Sequence, residues 1–455
     1  MERNSNPVNI PLPKDFVKRV IQQFGEKEGG ELLAALDKDP RVSISKKCQE
    51  RLWDDEENIS YAENGVFLRE RPSFTLDPRF HAGLYYPQEA SSMFIFSIAQ
   101  KINELKSVDC ALDLCAAPGG KSILLHKALK QANVIVSNEV SAKRNVILCE
   151  NMIKWGDARS IVTQSPLAKI GGNASWDLVL LDAPCSGEGM FRKDHDAREE
   201  WSIQQVESCS KLQMELLHES ARLTKPGGFL IYSTCTFAPQ ENEEQCAVFL
   251  QSEDWESWSD YELPEGAIWK NEEAFVGVQF LPHNGRGEGF FCAVFRKKQN
   301  SISDASKDHS YVNSVWKQLP TVIEKELSKW VKGEVRECRM DTTGNIHMMS
   351  FNQDILDKLD RPRQVGIPIG TWIKNKFIPA QGLLTSGLVS EAVKRIECNQ
   401  EQAIHLLRGE DWRVELDLEN DWYAATWQGI PFAWLKRVGN RFSNHYPKDW
   451  RIRRL

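Results

Sequence analysis

Two cysteines fifty residues apart, each set among turn residues, are the groups in this chain best placed to do chemistry. Cys185 lies in Asp182-Ala183-Pro184-Cys185-Ser186-Gly187-Glu188-Gly189, and Cys235 in Tyr232-Ser233-Thr234-Cys235-Thr236. Each follows an apolar run, 176–181 and 228–232. Apolar runs bounded by Pro, Gly and Ser read as buried parallel strands. The carboxyl ends of such strands line one crevice in an open α/β sheet, so the two thiols can share a cleft. A thiolate in that place is a covalent nucleophile. Added to carbon-6 of a cytosine, it makes carbon-5 electron-rich enough to attack a methyl donor.

Upstream, Ala111-Leu112-Asp113-Leu114-Cys115-Ala116-Ala117-Pro118-Gly119-Gly120-Lys121-Ser122 reads as a strand running into a Gly-rich turn, with a helix over 122–129. Small residues there let a backbone approach a ligand closely, and the helix N-terminus favours carboxylate or phosphate. The next strand, 134–137, ends at Asn138-Glu139, where an acid suits a ribose diol. Alone, this pattern would also serve a P-loop or NAD site, but it has the spacing of neither. With the two cysteine motifs downstream, S-adenosylmethionine is the expected ligand.

These segments carry a family resemblance. Cys115-Ala116-Ala117-Pro118-Gly119-Gly120-Lys121, the Asp182 to Gly189 segment and Ser233-Thr234-Cys235-Thr236 resemble the Nop/Sun family of RNA cytosine-carbon-5 methyltransferases. Tyr86-Pro87-Gln88-Glu89-Ala90-Ser91-Ser92-Met93, Leu281-Pro282-His283 with Gly287-Glu288-Gly289-Phe290-Phe291, and Asn444-His445-Tyr446-Pro447-Lys448 resemble its bacterial RsmF-type branch. The resemblance implies that Cys235 is the nucleophile. Cys185 is then the second thiol, which helps remove the carbon-5 proton and release the product. Asp182 is implied to face the target base beside the donor. The turn Cys115, Ala116, Ala117, Pro118, Gly119, Gly120 and Lys121 is implied to hold the donor, with Glu139 on its ribose. Lys121 would steady the base or the donor carboxylate, and Cys115 would pack. One position departs from the pattern: where many relatives have an Asp near the adenine, this chain reads Val162-Thr163-Gln164-Ser165-Pro166, leaving Ser165 as the substitute.

The remaining cysteines are read differently. Free cysteine is among the most buried residue types, so Cys48, Cys110, Cys149, Cys209, Cys246, Cys292, Cys338 and Cys398 are expected to fill core. No C-x-x-C pair occurs among the eleven, so no sign of structural zinc is present.

With 455 residues, 41% of them hydrophobic, the chain is long enough for two to four domains. Neither a signal-peptide-like stretch nor a membrane-length apolar run is expected, and free catalytic thiols suit a reducing cytoplasm. The net charge of −7 is an average, whereas attraction to phosphate is local. Within 431–455, Lys436, Arg437, Arg441, Lys448, Arg451, Arg453 and Arg454 stand against the single acid Asp449. Phe432, Trp434, Phe442, Tyr446 and Trp450 interleave with them. This composition suits phosphate contacts and stacking platforms; the alternative is a solvated basic tail.

The expected architecture is α/β: a Rossmann-like class I methyltransferase core with a small N-terminal domain and a C-terminal α+β, PUA-like RNA-binding region. Residues 1–75 form the N-terminal RNA-binding domain, with helices over 16–24 and 31–36 and a strand near 40–44. Residues 76–298 form the methyltransferase domain, including a helix from Ser202 to Leu223 stopped by Pro226-Gly227-Gly228. A polar linker over 299–311 precedes a small mixed domain (312–381) and the PUA-like module (382–455), in which 427–431 reads as a hairpin. The expected activity is methylation of a cytosine in structured RNA, by resemblance 16S ribosomal RNA near the decoding site, after the base is flipped from its stack. The partners expected are RNA or the small ribosomal subunit, with neither DNA nor membrane. Two rivals are a transfer-RNA methyltransferase of the same chemistry and a non-catalytic ribosome-assembly factor that keeps the fold.

Overall fold

Apolar strands alternating with amphipathic helices set the central sheet. In the computed structural model, its parallel centre runs in the order Ser160–Thr163, Val134–Asn138, Cys110–Asp113, Trp176–Asp182 and Thr224–Thr234. The antiparallel strands Phe290–Lys297, Val276–Phe280 and Ala267–Asn271 continue it. The chain winds outward through the strands after Cys110–Asp113, then crosses back to Trp176–Asp182 on the other side. That reversal opens a crevice at the carboxyl ends of these two strands. This is the doubly wound core expected from the sequence. The structure describes residues 10–271, 275–301, 311, 316–333, 335–413 and 418–453. Most of the expected linker, Pro7 and Arg454 lie outside these residues.

Strand alternation builds two apolar layers. Ala111, Ile135, Leu178, Leu180 and Ile231 face one side of the sheet, and Leu112, Val136, Val179, Leu181 and Leu230 face the other. Each such side chain, fully buried, contributes roughly 1.5–3 kcal/mol. The strand ends that carry the chemistry are therefore firmly anchored. Helix Ile203–Leu223 covers one face, capped where Ser202 accepts from the Gln205 N–H.

The N-terminal segment forms one helix, Lys14–Leu36, interrupted at Gly25, where the backbone turns to φ +80°. Its Phe16, Val20, Leu32 and Leu36 pack against Phe191, Trp201 and Phe237 of the core. A four-stranded sheet follows, with Val42–Lys46 between Gly65–Leu68 and Tyr85–Pro87. Beyond the linker, Pro362–Val365 returns to the core and pairs antiparallel with Ser160–Thr163. A segment expected in a separate small domain thus lends the catalytic sheet a strand.

The C-terminal sheet contains the hairpin Trp422–Trp427 and Ile430–Val438, turned by Gln428 and Gly429 at φ +50° and +75°. Its aromatics correct the sequence reading. Phe432, Trp434, Phe442 and Tyr446 are fully buried, and Arg437 is buried with them. They build the module's own core and cannot be stacking platforms. Lys436 is half-buried, while Arg441 and Lys448 are exposed.

All three regions meet at the end of helix Ala142–Trp155. A Cβ on Gly156 would stand 2.7 Å from the Ser386 Cα, so glycine permits a backbone contact there. Thr385 Oγ1 donates to Ile153 O at 2.8 Å, and Lys47 Nζ donates to Thr385 O at 2.9 Å. Nearby, His81 Nε2 donates to Thr75 O (2.9 Å), which leaves Nδ1 to accept from Tyr446 Oη at 2.7 Å. Burial lowers the His81 pKa to about 4, so the ring is neutral. Tyr446→Phe would strand this buried acceptor. We expect a loss of about 1–3 kcal/mol in urea unfolding; parent-like stability would show that water satisfies His81.

Candidate active site

Both cysteine loops leave neighbouring parallel strands whose last paired residues are Asp182 and Ser233. The loops then stay in contact. Ala183 N donates to Ser233 O at 2.9 Å, and Gly189 N donates to Cys235 O at 2.7 Å. A Cβ on Gly189 would lie 2.7 Å from both Cys235 O and Gly289 O, so only glycine lets these three backbones converge. The outcome is a Cys185 Sγ to Cys235 Sγ distance of 3.1 Å. The hydrogen bond to Cys235, together with burial, pushes the Cys185 thiol well above its ordinary pKa. Either sulfur can be the donor across this contact.

Asp182 is placed beside the pair. Its Oδ1 accepts from Ser233 Oγ at 2.9 Å, and its Oδ2 accepts from Lys121 Nζ at 2.8 Å. Burial opposes the Lys121 charge, but the Asp182 carboxylate more than offsets it and the pKa is raised. Lys121 also lies 5.4 Å from the centre of the Phe290 ring. A fixed ammonium, a half-exposed carboxylate and two sulfurs therefore face one opening.

The Gly-rich turn forms the other wall. Ala116, Ala117 and Gly119 are buried, Cys115 and Gly120 are partly so, and Pro118 is exposed. Burial and the nearby acids hold the Cys115 thiol protonated, which makes it inert. Below the turn, Asp113 Oδ2 accepts from Ser122 Oγ at 2.7 Å. Asp113 Oδ1 is buried without a hydrogen-bond partner, and burial pushes the carboxyl up to about 7. Glu139 ends the next strand, buried, its Oε1 accepting from Ser141 N at 2.8 Å. Arg144 lies 3.3 Å from Glu139 Oε2 and donates to Ala117 O at 2.6 Å, tying acid and turn together.

Some expectations fail. Ser165 is fully buried, with its hydroxyl donating to Asp360 O, so it is not available to an adenine. Among the cysteines read as core, Cys246, Cys292, Cys338 and Cys398 are buried. Cys48, Cys110, Cys149 and Cys209 are only partly covered, because they sit at element ends or on outward helix faces. The sequence reading also missed Asp113, Arg144, Glu188 and Glu241. Glu188 is fully buried and accepts from Arg19 (2.6 Å), the Trp201 ring N–H (2.9 Å) and Phe237 N (3.0 Å). It links the N-terminal helix to both cysteine loops. A glutamate amid Gly-rich turn residues gives no periodicity by which its burial could be read.

Glu288, in the loop against Gly189, is a further buried acid. Arg192 lies 3.6 Å away, yet burial raises its pKa from 4.5 to about 7. A folded-state value above the unfolded one means that its stability contribution is whole below about pH 4.5. That contribution is lost as pH rises through about 7. Glu288→Gln should flatten the fall in stability between pH 5 and 8 by on the order of 3 kcal/mol or less. Urea unfolding at both pH values is the measurement; an unchanged slope would show that Glu288 ionises freely.

Comparison with known proteins identifies relatives of this chain. Residues 101–296 match the family described as 16S rRNA methyltransferase RsmB/F. Residues 12–90 match the N-terminal domain of 16S rRNA methyltransferase RsmF, and 393–452 the methyltransferase RsmF PUA domain. Ribosomal RNA small subunit methyltransferase F of Vibrio cholerae is 30% identical, covering 97% of this chain and 98% of that protein. The protein of the same name from Photobacterium profundum is 29% identical over 92% and 87%. Among solved structures, a methyltransferase homolog from Pyrococcus horikoshii is 28% identical, with TM-score 0.53, covering 63% of this chain and 96% of that one. NSun6 from Pyrococcus horikoshii, solved with SFG, shares the fold at TM-score 0.53 and 18% identity, over 63% and 99%. On these matches, the chain belongs to the RsmF branch of the 16S rRNA methyltransferase RsmB/F family.

Proposed function

We propose that this chain is an S-adenosylmethionine-dependent methyltransferase that modifies carbon-5 of a cytosine in small-subunit ribosomal RNA, near the decoding site. The observation that carries the reading is the 3.1 Å sulfur pair at the mouth of a crevice whose other wall is a Gly-rich turn. The donor fits that wall: the buried Ala116, Ala117 and Gly119 leave backbone for close approach, and the buried Glu139 directly follows strand Val134–Asn138, where a ribose diol is held. When bound, S-adenosylmethionine supplies the methyl group. Residues of the turn, 115–121, with Glu139 and Asp182, would hold it.

The protein's own groups account for the rest. Cys235, as thiolate, adds to carbon-6 of the flipped cytosine. Asp182, held by Lys121 and Ser233, faces the base and offsets charge building on the ring. Cys185 keeps its proton during addition and gives it to solvent after methyl transfer; as thiolate it takes the carbon-5 proton, the freed electron pair re-forms the carbon-5–carbon-6 double bond, and Cys235 departs as thiolate. The N-terminal and PUA-like regions supply RNA contacts whose binding energy offsets the few kcal/mol of flipping. Among the described residues, no helix is long and apolar enough to cross a membrane. Action on ribosomal RNA and the need for free thiols favour the cytoplasm.

Bisulfite sequencing of total RNA from parent and deletion strains tests the reading directly. One 16S cytosine should lose protection in the deletion. A lost signal in transfer RNA, or none anywhere, would favour one of the two rivals. In vitro, Cys235→Ser should abolish methylation, since a serine hydroxyl is a far weaker nucleophile. Cys185→Ser should permit methyl transfer but block release, leaving a covalent RNA–protein band on denaturing gels. The reverse pattern would exchange the two roles.

With the buried Arg437 set aside, Lys448 is exposed, Arg441 is exposed beside Asp411 at 3.5 Å, and Lys436 is half-buried over the Trp422 ring; these three are the candidates for phosphate contact. Changing all three to Gln should weaken RNA binding and lower its log–log salt slope by roughly one unit or less per contact. Donor affinity should be unchanged. A parent-like slope would place RNA recognition elsewhere in the chain.

A further inference from the structure

Beneath the sulfur pair lies a second buried acid. Glu241 follows Cys235 in a short turn and is fully buried. Its Oε2 accepts from Ser186 N and Gln213 Nε2, both at 2.9 Å. Its Oε1 accepts from the Ser186 hydroxyl and from Thr236 Oγ1 at 3.3 Å. Ser186 follows Cys185 in sequence, and Thr236 follows Cys235. One carboxylate therefore grips both cysteine loops from below. Gln213, on helix Ile203–Leu223, also donates to Pro184 O at 2.9 Å, and Tyr232 Oη donates to the Glu241 carbonyl at 2.6 Å.

Donors surround this carboxyl. Burial raises the Glu241 pKa, but the Ser186 and Gln213 donors oppose that rise and satisfy the ionised carboxylate. Two of the four donors come from the residue beside Cys185, and only the longest comes from the residue beside Cys235. The carboxylate is thus held more closely by the loop of Cys185, whose ionisation its charge opposes.

We propose that Glu241 is the positioning residue of the thiol pair: it fixes the sulfur contact by gripping both loops, and its charge disfavours a second thiolate at Cys185. Cys235 then releases its proton to solvent, and the Cys185 S–H donates to the resulting thiolate. The division of labour is needed because addition requires one thiolate, whereas two adjacent thiolates would repel. The other ionisable groups around the pair act together with Glu241. Tyr232 lies in the same strand as Cys235's loop, Cys209 faces from helix Ile203–Leu223, and Glu188 from the turn after Cys185. Asp182 and Lys121 complete the set, and Lys121 is its cation, close enough to interact with Cys235. Glu241 thus opposes charge on one sulfur while Lys121 supports it on the other.

The role rests on the covalent mechanism proposed above, and its test reads the thiols independently of methylation. Initial rates of iodoacetamide alkylation across pH, resolved by mass spectrometry of the Cys185 and Cys235 peptides, should show Cys235 reacting at lower pH than Cys185 in the parent. In Glu241→Gln, the onset for Cys185 should move to lower pH by about half a unit or more. In RNA assays, kcat should fall about tenfold or more while the KM for RNA stays within about twofold. An unmoved Cys185 onset overturns the proposal even if kcat falls, because loosened packing alone would lower the rate without retuning the thiol. If Glu241→Gln does not fold, Glu241→Asp, which shortens the reach to Ser186 and Thr236, carries the same measurement, and a Cys185 onset that stays at the parent's pH overturns the proposal. A parent whose thiols titrate in this order but which methylates no RNA would defeat the methyltransferase reading and leave the role of Glu241 standing.

Discussion

The contact between Cys185 and Cys235 places two loops under one geometric condition, and much of the molecule serves to hold it. Strands Trp176–Asp182 and Thr224–Thr234 run parallel and in register, which brings the loops to the same edge of the sheet. Apolar layers on both faces keep those strands from sliding. Past the strand ends, however, apolar packing stops and polar contacts take over. Gly189 N on Cys235 O, Glu188 on Phe237 N and Glu241 on Ser186 N continue the pairing by other means. Without them, two loops rich in Gly, Ser and Pro would each carry a sulfur with no fixed partner.

The same contacts explain why the N-terminal segment is built into the core. Arg19 reaches Glu188 from helix Lys14–Leu36, and Arg198 ties Leu36 O and Asp37 to the segment after the first cysteine loop. A buried ion pair contributes little net stability, because desolvating two charges offsets most of their attraction. Its value here is geometric. With Arg19 and the Trp201 ring N–H on one Glu188 oxygen and the Phe237 N–H on the other, the seating of the helix and the placement of the second cysteine loop share one carboxylate.

The parallel strands and the placement of both cysteines at strand ends were legible in the sequence, because apolar runs ending in Pro, Gly and Ser report buried strands directly; the strand order was not. Helix Ile203–Leu223 was equally legible from its Ser202 cap and the Pro-Gly-Gly beyond it. What was hidden follows a pattern. Glu241 sits in Gln240-Glu241-Asn242-Glu243-Glu244, an acidic stretch indistinguishable from a solvated face until tertiary donors converge on one member. Phe432, Trp434 and Arg437 looked like an RNA-facing surface because composition says nothing about facing. Both faces of strand Ile430–Val438 are covered, so residues on either side of its pleat are interior. Pro362–Val365 was unreadable as part of the core sheet, since its partner strand lies some two hundred residues earlier.

The docking of the C-terminal module on helix Ala142–Trp155 bears on how RNA is selected. Gly156 against Ser386, Thr385 on Ile153 O and Tyr446 on His81 are close, directional contacts rather than a tether. Lys436, Arg441 and Lys448 are consequently held at a set span from the sulfur pair. Such a frame works as a caliper. An RNA whose phosphates and target base already stand at that span binds without distortion. On the proposed role of these three cations, a strand with the right base in the wrong shape must bend first, and architecture discriminates among RNAs before any base edge is read.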